Sequence, residues 1–208
     1  MISTESDARS YVADLAGDAA IARLDILIEE LARENELQNL VAKATLGTVW
    51  QRHVADSAQL LQFCEPSSPW LDLGSGAGFP GLVIAAMRPE ISVILIESRK
   101  RRVDWLERAV ASMELTNCQV EGRRLESVES VSAGVISARA FAPLDRLLAL
   151  SARFSTKDTC WVLPKGRSAA QEVRALPKNR RNMFHVEQSR TDPEAGIVVG
   201  RGQWSAKA

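Results

Sequence analysis

The run Asp72-Leu73-Gly74-Ser75-Gly76-Ala77-Gly78-Phe79-Pro80-Gly81 gathers four of the chain's 12 glycines into ten residues. Glycine has no Cβ and tolerates positive φ, so such a turn lets a ligand lie against the backbone. The apolar stretch that follows, Leu82-Val83-Ile84-Ala85-Ala86-Met87, reads as a helix. Its N-terminus offers unpaired N–H groups to a carboxylate or phosphate. Pro80 suits the first helical turn, where a missing N–H costs nothing. A second carboxylate stands at Glu97, closing the apolar run Val93-Ile94-Leu95-Ile96. In a Rossmann-type fold an acid about 20 residues beyond the glycines meets the ribose hydroxyls of a nucleoside.

Two cofactor readings compete. Gly76-Ala77-Gly78-Phe79-Pro80-Gly81 matches the dinucleotide fingerprint G-x-G-x-x-G. Shifted by two residues, the run beginning at Asp72 reads D-x-G-x-G-x-G, the pattern of S-adenosylmethionine (AdoMet) methyltransferases. Asp72 favours AdoMet over NAD, because a carboxylate suits an ammonium group and is unwelcome beside a pyrophosphate.

Other side chains bear on chemistry. Arg139 follows Val135-Ile136-Ser137-Ala138 among small neighbours, so its guanidinium can take a carboxylate or phosphate in bidentate fashion; the plain alternative is a surface arginine. Lys165 before Gly166 reads the same way. Arg99-Lys100-Arg101-Arg102 and Arg123-Arg124 form either a phosphate-tracking patch or a solvated helix face. His53 and Asp56 lie three apart on one helical face, within hydrogen-bonding reach. His53 is a packing residue or a catalytic one, and the Trp50/His53/Ser57 face could form a lid. Cys160 lies early in an apolar strand with no neighbouring base, which points to a buried, inert thiol. No Asn-Pro-Pro-aromatic motif follows the fourth strand, which weighs against methylation of an exocyclic amine.

These residues must be positioned by the elements around them. Residues 1 to about 66 read as helical: Ile21, Leu24, Leu27, Ile28 and Leu31 recur at helical spacing, Asn35 ends that helix, and residues 48–61 form another. Glu65-Pro66-Ser67-Ser68-Pro69 is a boundary. Strands then alternate with helices. Strands are expected at 70–73, 93–97, 118–121, 134–138 and 159–163. Helices are expected at 82–87, 99–115 (Val103, Leu106, Val110 and Met113 inward), 143–154 and 168–176. Two tail strands, 183–187 and 196–200, flank the turn Thr191-Asp192-Pro193-Glu194. This pattern predicts an α/β fold with a mostly parallel seven-stranded sheet and a C-terminal antiparallel hairpin. The division is residues 1–66 as a helical extension or lid and 67–208 as the cofactor-binding domain. Ligands of open α/β sheets sit outside the C-terminal strand ends. Three of the five such ends carry basic residues, which predicts a locally positive crevice.

With 208 residues, 46% hydrophobic and 25% charged, the chain reads as one soluble domain with an appendage. No apolar run approaches the ~20 residues of a membrane span, and no secretory signal is visible. The 26 basic and 26 acidic residues cancel, so overall charge lends nucleic-acid binding no support. Cys64, Cys118 and Cys160 are few and far apart. They suggest a reducing cytoplasm, with neither a disulfide framework nor a metal site.

In this setting the chain resembles the RsmG (GidB) family of bacterial small-subunit rRNA methyltransferases. The blocks that match, in order, are Asn39-Leu40; Arg52-His53-Val54-Ala55-Asp56-Ser57; Leu71 through Gly81; Glu97-Ser98 with Lys100-Arg101; Arg124-Leu125-Glu126; Ile136-Ser137-Ala138-Arg139-Ala140-Phe141; and Lys165-Gly166. The Gly-Phe-Pro-Gly extension and the Ser-Ala-Arg-Ala-Phe-Ala block are the specific ones. One departure is Val41, where the family more often has Thr. The resemblance implies a Rossmann-like class I methyltransferase fold and AdoMet-dependent methylation of guanine N7 in 16S rRNA, in a loop near the decoding region. The partner is the rRNA or the small subunit, and the chain is expected to be a cytoplasmic monomer without a metal. The cofactor site would comprise Asp72, Gly74, Gly76, Gly78, Phe79, Glu97, Ser98, Leu125, Glu126 and Arg139, with Glu97 on the ribose. Arg139, Lys165 and Arg123 would position phosphate and base, with His53 beside them. The alternatives are an NAD-dependent oxidoreductase and an rRNA-binding protein with a vestigial cofactor site.

Overall fold

Thr4 starts the first helix: its Oγ1 accepts from the N–H of Asp7 at 3.0 Å. Helix α1 (Glu5–Asn35) follows, broken at Gly17, where φ is +74°. Its apolar stripe, including Val12, Leu24, Leu27 and Leu31, is fully buried. At its end Asn35 Oδ1 accepts from the N–H groups of Leu40 and Val41, both at 2.9 Å, and turns the chain back. The computed structural model describes residues 1–205.

Residues 48–61 do not form the regular helix expected of them. Short 3-10 turns at Lys43–Thr48 lead into a widened π turn, Trp50–Ala55. One α turn follows, α2 (Asp56–Ala58), and a 3-10 turn, Gln59–Gln62. The cause is tertiary. Glu5 of α1 accepts from the N–H groups of Trp50 and Gln51 at 2.9 and 2.8 Å. From the other side, Asp192 pairs with Arg52 at 3.1 Å and Thr191 donates to Asp56 at 2.6 Å. The segment is clasped between α1 and the turn of the tail hairpin.

Beyond the cis Ser68–Pro69 bond, strands and helices alternate: β1 (Trp70–Leu73), α3 (Gly81–Met87), β2 (Val93–Ile96), α4 (Lys100–Ser112), β3 (Cys118–Glu121) and β4 (Val135–Ser137). Then come α5 (Leu144–Ser151), β5 (Cys160–Gly166), α6 (Ala169–Ala175), β6 (Phe184–Gln188) and β7 (Gly196–Arg201). The sheet order is β3-β2-β1-β4-β5-β7-β6. The first five strands are parallel, and β7 runs antiparallel to both β5 and β6. This is the architecture read from the sequence. Alternation along β1 sends Trp70 to the face covered by α1, α3 and α4, and Leu71 and Leu73 to the face covered by α5 and α6. Burial on both faces explains the unbroken apolar runs of the strands. On α4 the buried residues are Trp105, Leu106 and Ala109, with Met113 just beyond, while Val103 and Val110 are half-buried; the inward face is rotated from the one expected. Trp105 accounts for it, its indole N–H donating to the Ala77 carbonyl at 3.1 Å.

Cys64 and Cys160 form a disulfide across 96 residues of chain, with Cα atoms 6.2 Å apart. This corrects the expectation of no pairing: sequence distance says nothing of where the end of the N-terminal segment and the start of β5 meet. Cys118 is free, and burial pushes its thiol up to about 12. Among the described residues no helix is long and apolar enough to cross a membrane, and no cluster of three His, Cys, Asp or Glu could hold a metal ion.

Candidate active site

The strand order reverses between β1 and β4, and a ligand crevice opens at such a switch point. Two segments meet there: the glycine turn after β1 and residues 138–142 after β4.

The glycine turn is built by internal hydrogen bonds. The Ile96 carbonyl accepts from Gly74 and Ser75 N–H at 2.8 and 3.1 Å, and the Ser75 carbonyl accepts from Gly78 N–H at 2.7 Å. Gly74 and Gly78 have φ of +68° and +100°. A Cβ on Gly74 would lie 2.4 Å from the ring of Phe141, and one on Gly78 2.3 Å from Leu82. Both positions therefore demand glycine twice over, by conformation and by space.

Asp72 is fully buried. Its Oδ1 accepts from Ser137 Oγ at 2.8 Å, and that hydroxyl in turn accepts from Trp70 Nε1 at 2.8 Å. Its Oδ2 accepts from Gly81 N–H at 3.2 Å, at the start of α3. Burial raises the carboxyl to about 6, against the pull of Ser137, Ser75, Gly81 and Arg139. Asp72 joins β1, β4 and α3, and it presents no surface to a ligand ammonium. Glu97 plays the matching part at β2. Its Oε1 accepts from Ser98 and Arg99 N–H at 2.7 and 2.9 Å, and its Oε2 from Gly76 N–H at 3.1 Å. Ser98 and Glu126 are exposed, and Leu125 is buried in the 3-10 turn Leu125–Ser127.

After β4, Arg139 is held by the N-terminal segment. Its Nη1 lies 3.1 Å from His53 Nδ1, 3.4 Å from the Arg52 carbonyl and 3.8 Å from Asp56 Oδ2. The guanidinium sits 5.0 Å from the centre of the Phe79 ring, on which His53 stacks at 5.1 Å and 22°. Burial lowers the arginine below its usual value, while Asp56 and Asp72 hold it up. Burial and the cations of Arg139 and Arg52 lower His53 to about 3, so it is neutral. Its partners assign the tautomer. Nδ1 accepts from Arg139, so Nε2 carries the proton and donates to Thr45 Oγ1 at 2.8 Å; Thr45 passes its own proton to the Ala42 carbonyl at 2.8 Å. Both imidazole nitrogens are thus occupied. The expected His53–Asp56 hydrogen bond is not made: the π turn widens the spacing that would stack residues three apart. Asp56 Oδ1 instead accepts from Gln59 and Thr191 at 2.8 and 2.6 Å.

A cavity of about 1060 Å³ opens beside this cluster, bounded by Arg52, His53, Arg139, residues 140–145, Lys165 and the β6–β7 turn. Phe141 stands between it and the glycine turn, lining the one and touching the other. Lys165 is largely buried. Its Nζ lies 3.1 Å from Glu172 Oε2 and donates to the Ala142 carbonyl at 2.5 Å. Glu172 also accepts from Leu144 N–H and Ser168 Oγ, both at 2.6 Å. Arg123 is not brought to this cavity: it lies at the far edge of the sheet, exposed, 3.5 Å from Glu121. The cavity walls carry Arg52, Arg139 and Lys165 against Asp56, Asp145, Glu172 and Asp192. The positive crevice expected from the strand ends is thus balanced by carboxylates from helices and the hairpin turn, which strand-end counting leaves out. Thr45, Phe141 and Asp145 escaped the sequence reading as site residues. Only Phe141 had a signal, an aromatic directly after the basic strand end.

Comparison with known proteins bears directly on this geometry. Residues 20–193 match the model of the family described as rRNA small subunit methyltransferase G. A protein of that name from Erythrobacter litoralis is 59% identical over 204 residues, 98% of this chain and 99% of its own. Another from Novosphingobium aromaticivorans is 54% identical, over 95% of this chain and 88% of its own. In structure, a SAM dependent methyltransferase from Aquifex aeolicus aligns with a TM-score of 0.56 at 13% identity, covering 84% of this chain and 97% of that one. The fold is that of the AdoMet-dependent methyltransferases, and the oxidoreductase and vestigial-site alternatives are not favoured. This chain belongs to the rRNA small subunit methyltransferase G family and is an AdoMet-dependent methyltransferase of small-subunit ribosomal RNA.

Proposed function

We propose that the chain methylates N7 of a single guanine in 16S rRNA, as a cytoplasmic monomer. The observation that carries this reading is His53, neutral and tied at both nitrogens beside the cavity. Guanine N7 has a free lone pair and no proton, so its methylation needs no general base. Bound AdoMet supplies a methyl group on a sulfonium sulfur. In that transfer the N7 lone pair would take the methyl as the S–C bonding electrons stay on sulfur, and the positive charge would pass to the purine. What remains for the protein is alignment and exclusion of water.

The glycine turn, where a Cβ on Gly76 would meet only the Arg102 guanidinium and the Gly74 carbonyl at 3.5 and 3.6 Å, and where an acid lies directly beside it, fits a nucleoside carrying an amino-acid tail. On this reading Gly74, Gly76, Gly78, Phe79, Ser98, Leu125, Glu126 and Arg139 surround the cofactor, with Glu97 at the ribose and Asp72 holding the turn from beneath. Arg139 and Arg52 turn toward RNA phosphate, Lys165 fixes the loop carrying Phe141, and Arg123 meets the RNA farther out. Residues 1–66 act as a helical extension or lid, with 67–208 as the cofactor domain. The experiment is transfer of labelled methyl from AdoMet to small subunits of a strain lacking the protein, followed by N7-specific aniline cleavage. One cleavage at one loop guanine is expected; label without cleavage would overturn the N7 assignment.

A further inference from the structure

The cavity walls carry one carboxylate more than they carry cations, and pairing identifies it. Asp192 faces Arg52, Glu172 faces Lys165 and Asp56 faces Arg139. The side chain of Asp145, exposed in the first turn of α5, makes no ion pair or hydrogen bond among the described residues. An unmatched negative charge is a poor wall for a cavity that receives a polyanion, unless it meets hydrogen-bond donors there.

We infer that Asp145 reads the Watson–Crick edge of the target guanine, its two carboxylate oxygens accepting from N1–H and the N2 amino group. The inference rests on the guanine-N7 reading above. Adenine and guanine both present N7, so that atom alone cannot select the base. Their opposite edges differ: guanine offers two adjacent donors, whereas adenine offers an acceptor at N1 that a carboxylate repels. Phe141 and Asp145 line one cavity four residues apart, and Phe141 also touches Gly74 of the cofactor turn. A purine stacked on that ring can point N7 toward the cofactor turn and its other edge away from it, toward Asp145. Charge acts in the same sense. Methylation leaves the purine cationic and its N1–H more acidic, so a carboxylate on that edge binds the transition state more tightly than the ground state.

The plain alternative is that Asp145 only favours the helix N-terminus electrostatically. Base substitution in the RNA separates the two. Inosine lacks the N2 amino group but keeps N7 and N1–H. Small subunits reconstituted with guanosine or inosine at the methylated position serve as substrates for the intact enzyme. The wild type should prefer guanosine by about 10- to 100-fold in kcat/KM, the usual consequence of leaving a site's polar group unpaired. Asp145→Ala should slow guanosine by a similar factor, mostly in kcat, and bring the two substrates within about twofold. Asp145→Asn, which keeps size and one acceptor, should fall between them with an unchanged Tm. If Asp145→Ala slows both substrates equally, or if the wild type does not discriminate, the inference is overturned while the N7 reading stands. Failure of the wild type to methylate either substrate at N7 would overturn that reading and the inference with it.

Discussion

On the glycine side of the cleft, carboxylates mainly hold backbone; on the cavity side, three of the four face cations. Glu97 takes three N–H groups and Asp72 takes one N–H and one hydroxyl, both from deep burial. Across the cleft, Asp192 faces Arg52, with the side chains 30% and 44% exposed, and Asp56 stands 3.8 Å from Arg139. The two arrangements respond differently to a ligand. A carboxylate that closes a turn cannot change partner without opening the turn. A half-exposed ion pair is worth little, about 0–1 kcal/mol, so its cation can pass to a phosphate at small cost. The cofactor side is therefore fixed in advance, and the RNA side holds a readily exchangeable pair in Arg52 and Asp192.

Breaking the fixed side should have the largest effect. Gly74→Ala places a Cβ against the Phe141 ring and forces a left-handed alanine. Methyl transfer should fall by more than about 100-fold, with AdoMet binding lost by calorimetry. An enzyme with near-normal binding would show that the turn adapts and that the contrast is false. Next comes Asp72→Ala, which strands Gly81 N–H and Ser137 Oγ in the core. At about 1–3 kcal/mol for each unpaired group, the two together should cost about 2–6 kcal/mol, a fall of at least about 4 °C in Tm. A change below 1 °C would mean that the relay from Trp70 through Ser137 holds without its acid.

The contrast also marks what was legible in the sequence. The Asp72-to-Gly81 turn and the acid of Glu97 act through backbone near them, and local pattern reveals such things. The same holds for β2, whose apolar run Val93–Ile96 is the strand itself. The cavity side is made of partners far apart in the chain, Arg52 with Asp192 and Arg139 with His53, and the disulfide of Cys64 with Cys160 is hidden for the same reason. Residue types announce that Arg139 and Lys165 are cations, but not that Asp56 of α2 and Glu172 of α6 neutralise them. Residues 50–62 illustrate the same limit. Their periodicity is helical, and the π turn is imposed by Glu5 on one side and by Thr191 and Asp192 on the other.

The smallest effect expected is the one that reports most directly on His53. Its folded value lies near 3 against 6.5 when free, so between those limits the unfolded chain binds the extra proton. The neutral histidine therefore contributes stability that is complete above pH 6.5 and lost as pH falls toward 3. At pH 5.5 the loss amounts to about 1 kcal/mol. Asp72 works in the opposite direction, because its value is raised from 3.8 to about 6 and acidification through that window favours the fold. The wild-type profile is thus a sum, and the difference from His53→Gln isolates the histidine. Glutamine can still accept from Arg139 and donate to Thr45, but it cannot take up a proton. Tm should fall less on going from pH 7 to pH 5.5 in the variant than in the wild type, by about 2–4 °C for a chain of this size. Equal profiles would mean that His53 is protonated in the fold without cost. Its contact with Arg139 would then be broken below pH 6.5, and that arginine would already be free to meet phosphate before RNA arrives.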